Sequence, residues 1–591
     1  MMIMNANHRL KSFFLGLLCV AAILPCLTLA DSYGDRAVFN VDKNYDSARR
    51  TQTAAVLIWA GEKIYFYVDD GWWGALDSAA RQKYNAAFGN LDGEFFRHIR
   101  PKLTELFGES ANPNFSRDGK LTILVHPMIK DAGGYINTGD GYSKYQASRS
   151  NEREMVYFNT LFVDSPLAKA YLAHEYVHLI TFNQKDRLRN VAEEVWLNEV
   201  RAEYSSTILG YDDLFLGSNF EQRIKSFAAD SAKSLTEWQN VTANYGAAHL
   251  WAQYIVDHYG IAILADSMKT EKTGIDSIEH ALKKNGFDVS FSQIFRDWLI
   301  ALAVNDCSLG ERHCYKYAAL KDFVVAPRIN YLPASDQVSL SVAHSMPYFA
   351  GNWQKITGAR GDLRLDFEST AEHKFITPYV LCEASGKCAI GELETAADGN
   401  AMLILEGFGA KYVSLTLMPF ASGKTFGFDG GNQNPLPYSF RVAVSSKSAA
   451  AMPVVGGQDE DKKIQALLAQ IEALKQEIAR VQAILAARAA AAPRAALSCA
   501  AITADLYFGA QNYGQTLCLQ EFLKSQGSAI YPGGILNGSF DANTRAAIIR
   551  FQEKHAAQIL APLGLKSGTG YVGPSTRAKI NQLLASLREG V

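Results

Sequence analysis

The chain lacks an excess of either charge: 58 lysines and arginines stand against 60 aspartates and glutamates, so no broad basic field exists to hold nucleic acid. It lacks any Cys-x2-Cys spacing, which removes the usual cysteine-based structural zinc sites. It also lacks a compositional bias. Hydrophobic residues at 48% and charged residues at 20% are ordinary globular proportions, which excludes a mostly disordered, collagen-like or multi-spanning membrane chain. What is present is length. At 591 residues, against domains of ~100 to 200, several folded units must be strung together.

Residues 1–30 open with His8, Arg9 and Lys11, pass through an apolar run at 12–24 and end Thr28-Leu29-Ala30 before Asp31. That is the anatomy of a secretory signal peptide. Pro25 interrupts the run and small residues precede the boundary, so cleavage after Ala30 is expected rather than retention as a membrane anchor. Cys26 lacks the small residues that a lipoprotein site needs before it. Six cysteines then remain in three close pairs, Cys307 and Cys314, Cys382 and Cys388, Cys499 and Cys518. In an exported chain, an even count at short separations favours three local disulfides.

From Asp31 to about residue 327 the texture is mixed, an α+β pattern. Runs at 56–59, 64–68, 121–125 and 155–158 read as strands, and the Asp69-Asp70-Gly71 cluster reads as a turn. Residues 76–107 look helical. Apolar residues at three-to-four spacing predict further helices over 166–182, 191–208, 245–258 and 289–303. Between 328 and 446, short alternating runs punctuated by Gly and Asn predict a β-sandwich. Residues 447–497 combine two linkers with a heptad in which Ile464, Ile471, Ile478 and Leu485 share one position and Leu467, Leu474 and Val481 another. This predicts a short coiled coil or lone helical spacer, with a dimer as one outcome. Residues 498–591 are patterned again and form a separate small domain.

The segment with the clearest chemistry is Ala173-His174-Glu175-Tyr176-Val177-His178, a His-Glu-x-x-His. On a helix, positions i and i+4 share a face, so His174 and His178 can bind one ion while Glu175 reaches the open coordination position. Zinc of this kind needs a third protein ligand. Trp196-Leu197-Asn198-Glu199, in a predicted helix, supplies Glu199. Glu203, four residues on, shares its face and is placed to accept the free N–H of a ligating histidine.

This pairing of His-Glu-x-x-His with a later Trp-Leu-Asn-Glu resembles the gluzincin metallopeptidases, whose third ligand is a glutamate. Ser150-Asn151-Glu152-Arg153-Glu154-Met155 and Asn244-Tyr245-Gly246-Ala247-Ala248 are similar to the hyicolysin type of secreted bacterial gluzincin. The resemblance covers about 31–327 and implies a zincin-like α+β fold, bound Zn2+ and Glu175 as proton carrier. Val200 departs from it, since relatives commonly carry Gly after the glutamate. The clan also holds the oxyanion with a downstream Tyr or His, here Tyr245 or His249, with Tyr245 favoured. The strand at 155–158, just before the zinc helix, is expected at a sheet edge where extended substrate can pair.

In the terminal domain, Leu519-Gln520, Gly538-Ser539-Phe540-Asp541 with Thr544, and Phe551-Gln552 resemble in order the small three-helix peptidoglycan-binding domain of exported bacterial proteins. The combined expectation is a secreted zinc endopeptidase tethered to cell wall, with protein or peptide substrate and peptidoglycan as partners, and no membrane contact after leader removal. A peptidase of peptidoglycan cross-bridges and a non-catalytic wall-binding adhesin are the alternatives.

Overall fold

The computed structural model describes residues 31–110, 118–130, 132–333, 337–370, 375–423, 435–445, 501–507, 512–527, 529–532, 536–563 and 567–589, with 534 and 565 between them. The expected leader, the heptad helix and Cys499 lie outside the described residues. Among the described residues no helix is long and apolar enough to cross a membrane.

Six strands form the first sheet: β1 (Arg36–Asn40), β2 (Gln52–Ala60), β3 (Ile64–Asp69), β4 (Leu121–His126), β5 (Gly134–Tyr135) and β6 (Met155–Asn159), in the order β1-β2-β3-β4-β6-β5. β3, β4 and β6 run parallel, whereas β5 lies antiparallel on the outer side of β6. Successive side chains of a strand face opposite ways. Phe66, Ile123, Val156 and Phe158 therefore enter one core shared with the helices, and Tyr67, Leu124, Met155 and Tyr157 enter a smaller one on the other face. Burial on both faces explains why these strands read as continuous apolar runs. The expectation that 155–158 is an edge strand is corrected here, because β5 occupies that side. Two residues of β5 were too few to show a strand pattern.

α1 (Asp70–Ala75) precedes the expected helix over 76–107, which consists of α2 (Ser78–Glu94), a π-helical turn (Phe95–Ile99) and α3 (Arg100–Phe107). The predicted turn at 69–71 is instead the start of α1. Asp69 caps it by accepting from the Trp72 amide at 2.8 Å, the ordinary role of an aspartate before a first turn. Then follow α4 (Ala168–Thr181), α5 (Val195–Ile208), α6 (Asn219–Ala229), α7 (Thr242–Tyr259), α8 (Ala262–Met268), α9 (Gly274–Lys284) and α10 (Phe291–Val304). α4 passes without a break into a second π-helical turn, Phe182–Arg187. α6, α8 and α9 fall in the stretch up to about residue 305 where helical patterns were expected to dominate, without bounds of their own. α5 starts later than its apolar pattern, because Glu194 is extended and Glu193 is drawn into a buried ion cluster with Lys185 and Arg201.

The segment 328–445 is β-sandwich-like. β13 (Cys388–Glu392), β12 (Pro378–Glu383), β15 (Tyr412–Leu417), β9 (Gln354–Gly358) and β7 (Arg328–Leu332) pair in succession, as do β14 (Ala401–Phe408), β10 (Gly361–Ser369), β17 (Leu436–Ser445) and β8 (Gln337–Met346). A single pair, Phe408 with Tyr412, joins β14 to β15, and β11 (Phe375–Ile376) pairs separately with β16 (Phe420–Ala421). Alternate residues such as Leu363, Leu365, Leu415, Leu417, Phe440 and Val442 fill the space between. This unit packs on α10 through an aromatic cluster, with Phe349 ring centroids 5.0 Å from Phe291 and 5.3 Å from Phe295. Cys307–Cys314 and Cys382–Cys388 are bonded. Cys518 is disulfide-bonded as well.

The last segment holds α11 (Tyr513–Ser525), α12 (Ala542–Lys554), α13 (Ala556–Ile559) and α14 (Pro574–Glu589) around its own core of Leu519, Phe522, Phe551 and Leu584. Its glutamines have matching structural tasks. The Gln520 amide donates to Ser539 O and accepts from Gly538 N at 2.8 Å. Gln552 donates to Tyr571 O and accepts from Gly570 N at 2.9 Å. Gln520 ties the loop ahead of α12 to α11, and Gln552 ties the loop ahead of α14 to α12.

Candidate metal centre

α4 begins in Ala-Lys-Ala-Tyr-Leu-Ala, residues that are mostly good helix formers, and it is packed on nearly every side. That leaves His174 and His178 one turn apart on the face turned to α5. Glu199, in the second turn of α5, faces them.

Glu199 Oε2 lies 3.3 Å from His174 Nε2 and 3.6 Å from His178 Nε2, and the two imidazole nitrogens are 3.1 Å apart. Ligands at ~2.0 to 2.2 Å around a tetrahedral ion are separated by about 3.3 to 3.6 Å. The two edges to Glu199 fall in that range, and the edge between the imidazoles is slightly shorter. Among the described residues this is the cluster of His, Cys, Asp and Glu whose atoms converge closely enough for a metal. Glu199 Oε2 is buried and has no hydrogen-bond partner, a costly state for a carboxylate unless a cation faces it. Burial works against charge on His174, yet Glu199 and Glu203 outweigh it and push its pKa up to about 10. His178 moves the other way, lowered by burial. The donor set could thus hold a divalent cation, and two imidazoles with one carboxylate are a donor set of the kind zinc takes.

Glu203 takes the place expected of it, with Oε1 3.2 Å from His174 Nδ1. It is itself gripped by residues that the sequence reading missed. Arg223 of α6 donates to both carboxylate oxygens at 2.9 and 3.0 Å, and Asn219 donates at 3.1 Å. The Arg223 guanidinium also lies 4.7 Å from the Tyr245 ring centroid. No spacing in the sequence connects α6 to this site. Arg223→Met is expected to weaken zinc affinity by roughly 10- to 100-fold, the usual weight of such supporting contacts. Arg223→Lys should recover only part, since an ammonium cannot make the fork. Competition with a chelator of known affinity measures both, and an unchanged affinity would detach Arg223 from the site.

Glu175 points to the other side of the helix face, toward the sheet edge. A β-carbon at Gly134 would sit 3.1 Å from Glu175 Cγ and 2.8 Å from the Tyr157 carbonyl oxygen, so the glycine permits the close approach of β5. Burial raises the Glu175 pKa to about 7, opposed by His174 and reinforced by Glu199 and Glu203. Tyr45 stacks on Tyr135 of β5 at 4.5 Å, and its hydroxyl is pushed up to about 12 by burial and then by the charge of Glu175, followed by Asp42 and Glu199. It is a second phenol at the site, and the sequence held no sign of it.

Tyr245 and His249 part company. The Tyr245 ring lies 6.5 Å from that of His174, and its hydroxyl donates to Asn240 at 2.8 Å. His249 is fully buried, stacked on Phe220 at 3.9 Å, with Nε2 2.9 Å from Thr207 Oγ1 and Nδ1 3.6 Å from Glu203. It backs Glu203 from the core, and Tyr245 is the member of the pair beside His174.

No protein-family model matches the chain, and no curated protein matches it. Among solved structures it is similar to the pre-peptidase C-terminal domain of a collagenase from Bacillus anthracis, at 9% identity and a TM-score of 0.14, over 20% of this chain and 96% of that one. It is also similar to PliG of Aeromonas hydrophila, a periplasmic inhibitor of g-type lysozyme, at 12% identity and a TM-score of 0.13, over 20% of this chain and all of the other. At those scores neither likeness carries an argument.

Proposed function

We propose that the chain is a zinc-dependent endopeptidase of gluzincin type that is held at the cell wall by its C-terminal domain. The observation that carries the reading is the His174, His178 and Glu199 triangle with Glu175 buried beside it. His174, His178 and Glu199 would hold the ion, and zinc there would supply Lewis acidity for a water and a carbonyl oxygen. Glu175 takes the proton of the attacking water and delivers it to the leaving amine. Tyr245 is the donor for the developing oxyanion. Extended substrate pairs with β5, whose outer edge is next to Glu175, rather than with β6. Arg223 and Glu203 keep His174 turned toward the ion.

The C-terminal reading rests on the paired glutamine braces and the resemblance of their sequence pattern. Protein substrate and wall cross-bridges differ in length and chemistry, so one experiment separates them. Full-length protein is expected to cleave denatured casein, to leave purified sacculi uncut while sedimenting with them, and to lose activity to a zinc chelator with recovery on adding zinc. Soluble muropeptides released from sacculi, with casein untouched, would shift the reading to the cross-bridge peptidase. No cleavage of either by the zinc-loaded protein would favour the adhesin.

A further inference from the structure

The β-sandwich-like unit grips one loop of the helical part, and that loop leads to Tyr245. Residues 234–241 lie between α6 and α7, the helix that carries the tyrosine. Ser234 forms an antiparallel bridge with Ala350, its hydroxyl donates to Tyr348 O at 2.7 Å, and the Leu235 amide donates to Phe349 O at 2.8 Å. The Tyr348 amide donates back to Glu237 at 3.3 Å. Phe349 is anchored from behind, since its own amide donates to Ala421 O in β16 at 3.0 Å. It is buried and has a left-handed backbone, φ 47°, a conformation that a bulky residue holds only where its surroundings dictate it.

Within the loop, Ser234 and Asn244 are the hubs. The Ser234 hydroxyl accepts from the Thr236 and Glu237 amides at 3.1 and 2.8 Å. The buried Asn244 carboxamide, one residue before Tyr245, donates to Ser234 O at 3.2 Å and accepts from the Gln239 and Val241 amides at 3.2 and 3.4 Å. The loop so braced presents two groups to Tyr245. The Trp238 ring stands edge-on to the tyrosine ring at 4.9 Å, and the Asn240 side-chain oxygen accepts from its hydroxyl at 2.8 Å. α7 fixes the backbone of Tyr245, yet the ring still turns about its side-chain torsions. Of Arg223, Trp238 and Asn240, which hold the ring and its hydroxyl, two ride on this loop.

We propose that the β-sandwich-like unit is part of the catalytic site: by gripping Ser234, Leu235 and Glu237 it sets the loop that aims the Tyr245 phenol, which makes Ser234 and Asn244 positioning residues. The inference rests on the reading of Tyr245 as oxyanion donor and deepens it. A phenol has one proton to give, so donation to an oxyanion replaces the bond to Asn240. The exposed Asn240 amide then turns and donates to the phenol oxygen instead. Misplacing such a group by about 1 Å can cost roughly 10²-fold in rate, and the effect of the grip is therefore expected in turnover rather than in substrate binding.

The full zinc-loaded chain serves for the test, with casein hydrolysis, zinc content and hydrogen exchange as readouts. Ser234→Ala cuts the hub and is expected to lower kcat about tenfold or more while KM and zinc content hold. The Leu235, Gln239 and Val241 amides, none of which bonds the Ser234 hydroxyl, should exchange faster. In a Tyr245→Phe background the same change should cost less than about twofold, because the group that it aims is already gone. Glu237→Ala, which removes the acceptor of the Tyr348 amide, takes the place of Ser234→Ala if that variant does not fold, and Glu237→Gln should recover most of what it loses. Equal fractional losses in the two backgrounds overturn the inference, and so do faster exchange at a kept rate and a variant that changes neither. Tyr245→Phe at the wild-type rate overturns it as well, by removing the donor. Failure of every zinc-loaded chain to cleave casein is a different result: it removes the peptidase reading, and the exchange pattern then decides by itself whether the sandwich holds the loop.

Discussion

Glu175→Gln is expected to keep zinc near one ion per chain while proteolysis falls by at least about 10² to 10⁴, the weight of general acid–base catalysis. The three atoms that converge on the metal position come from His174, His178 and Glu199, so the amide removes no ligand. It is nearly the same shape as the carboxylate, and the space beside Gly134 still accepts it. What is lost, on the proposed mechanism, is the group that would move the proton. Glu199→Gln should behave in the opposite way. Its Oε2 is the common end of the 3.3 and 3.6 Å separations to the two histidines, and a neutral amide is a poor substitute for a carboxylate ligand. Metal content after gel filtration, together with rates on casein, distinguishes the two. Metal lost from the first variant and kept by the second would reverse the roles assigned here.

The second large effect belongs to stability. Arg201 is wholly buried, donates to Glu193 at 2.8 Å and to Ser267 at 2.9 Å, and stands two residues beyond Glu199. Glu193 also accepts from the Gly274 amide at 2.7 Å and lies 3.3 Å from buried Lys185. The cluster joins the entry of α5 to the turn after α4 and to the start of α9. Arg201→Met leaves the buried Glu193 carboxylate short of its main partner, and removing one side of such a pair costs roughly 3 to 5 kcal/mol. A lowered urea midpoint at unchanged slope would register it. A loss under about 1 kcal/mol would mean that Trp196 and Leu197 place α5 by apolar packing alone.

The parts of this site that were legible in sequence are those that sit on one helix or on a strongly patterned one. His174 and His178 are four apart, and Glu199 and Glu203 are four apart, so the 3.6-residue period brings each pair to a common face before any tertiary fact is known. Arg223 and Gly134 were illegible because their roles depend on how α6 and β5 approach, which no local period encodes. Tyr245 and His249 share a helix face, yet packing divides them, and the full burial of His249 and its stacking on Phe220 place it in the core. In the fold, the longer strands were readable because they are buried on both faces. β5 and the break between α2 and α3 were not, since a two-residue strand has no alternation and a π-helical turn keeps nearly the same apolar pattern as the helix it interrupts.

The two described disulfides bridge residues only 7 and 6 positions apart. Such a loop closes on its own within a short stretch of chain, long before the sandwich has packed on α10. Neither bond requires distant parts of the polypeptide to have met, and each cysteine finds its partner as its nearest neighbour while the chain is still emerging. Oxidation can therefore run ahead of tertiary folding without trapping a wrong topology, and the junction between helices and sandwich receives one closed turn and one closed hairpin already tied.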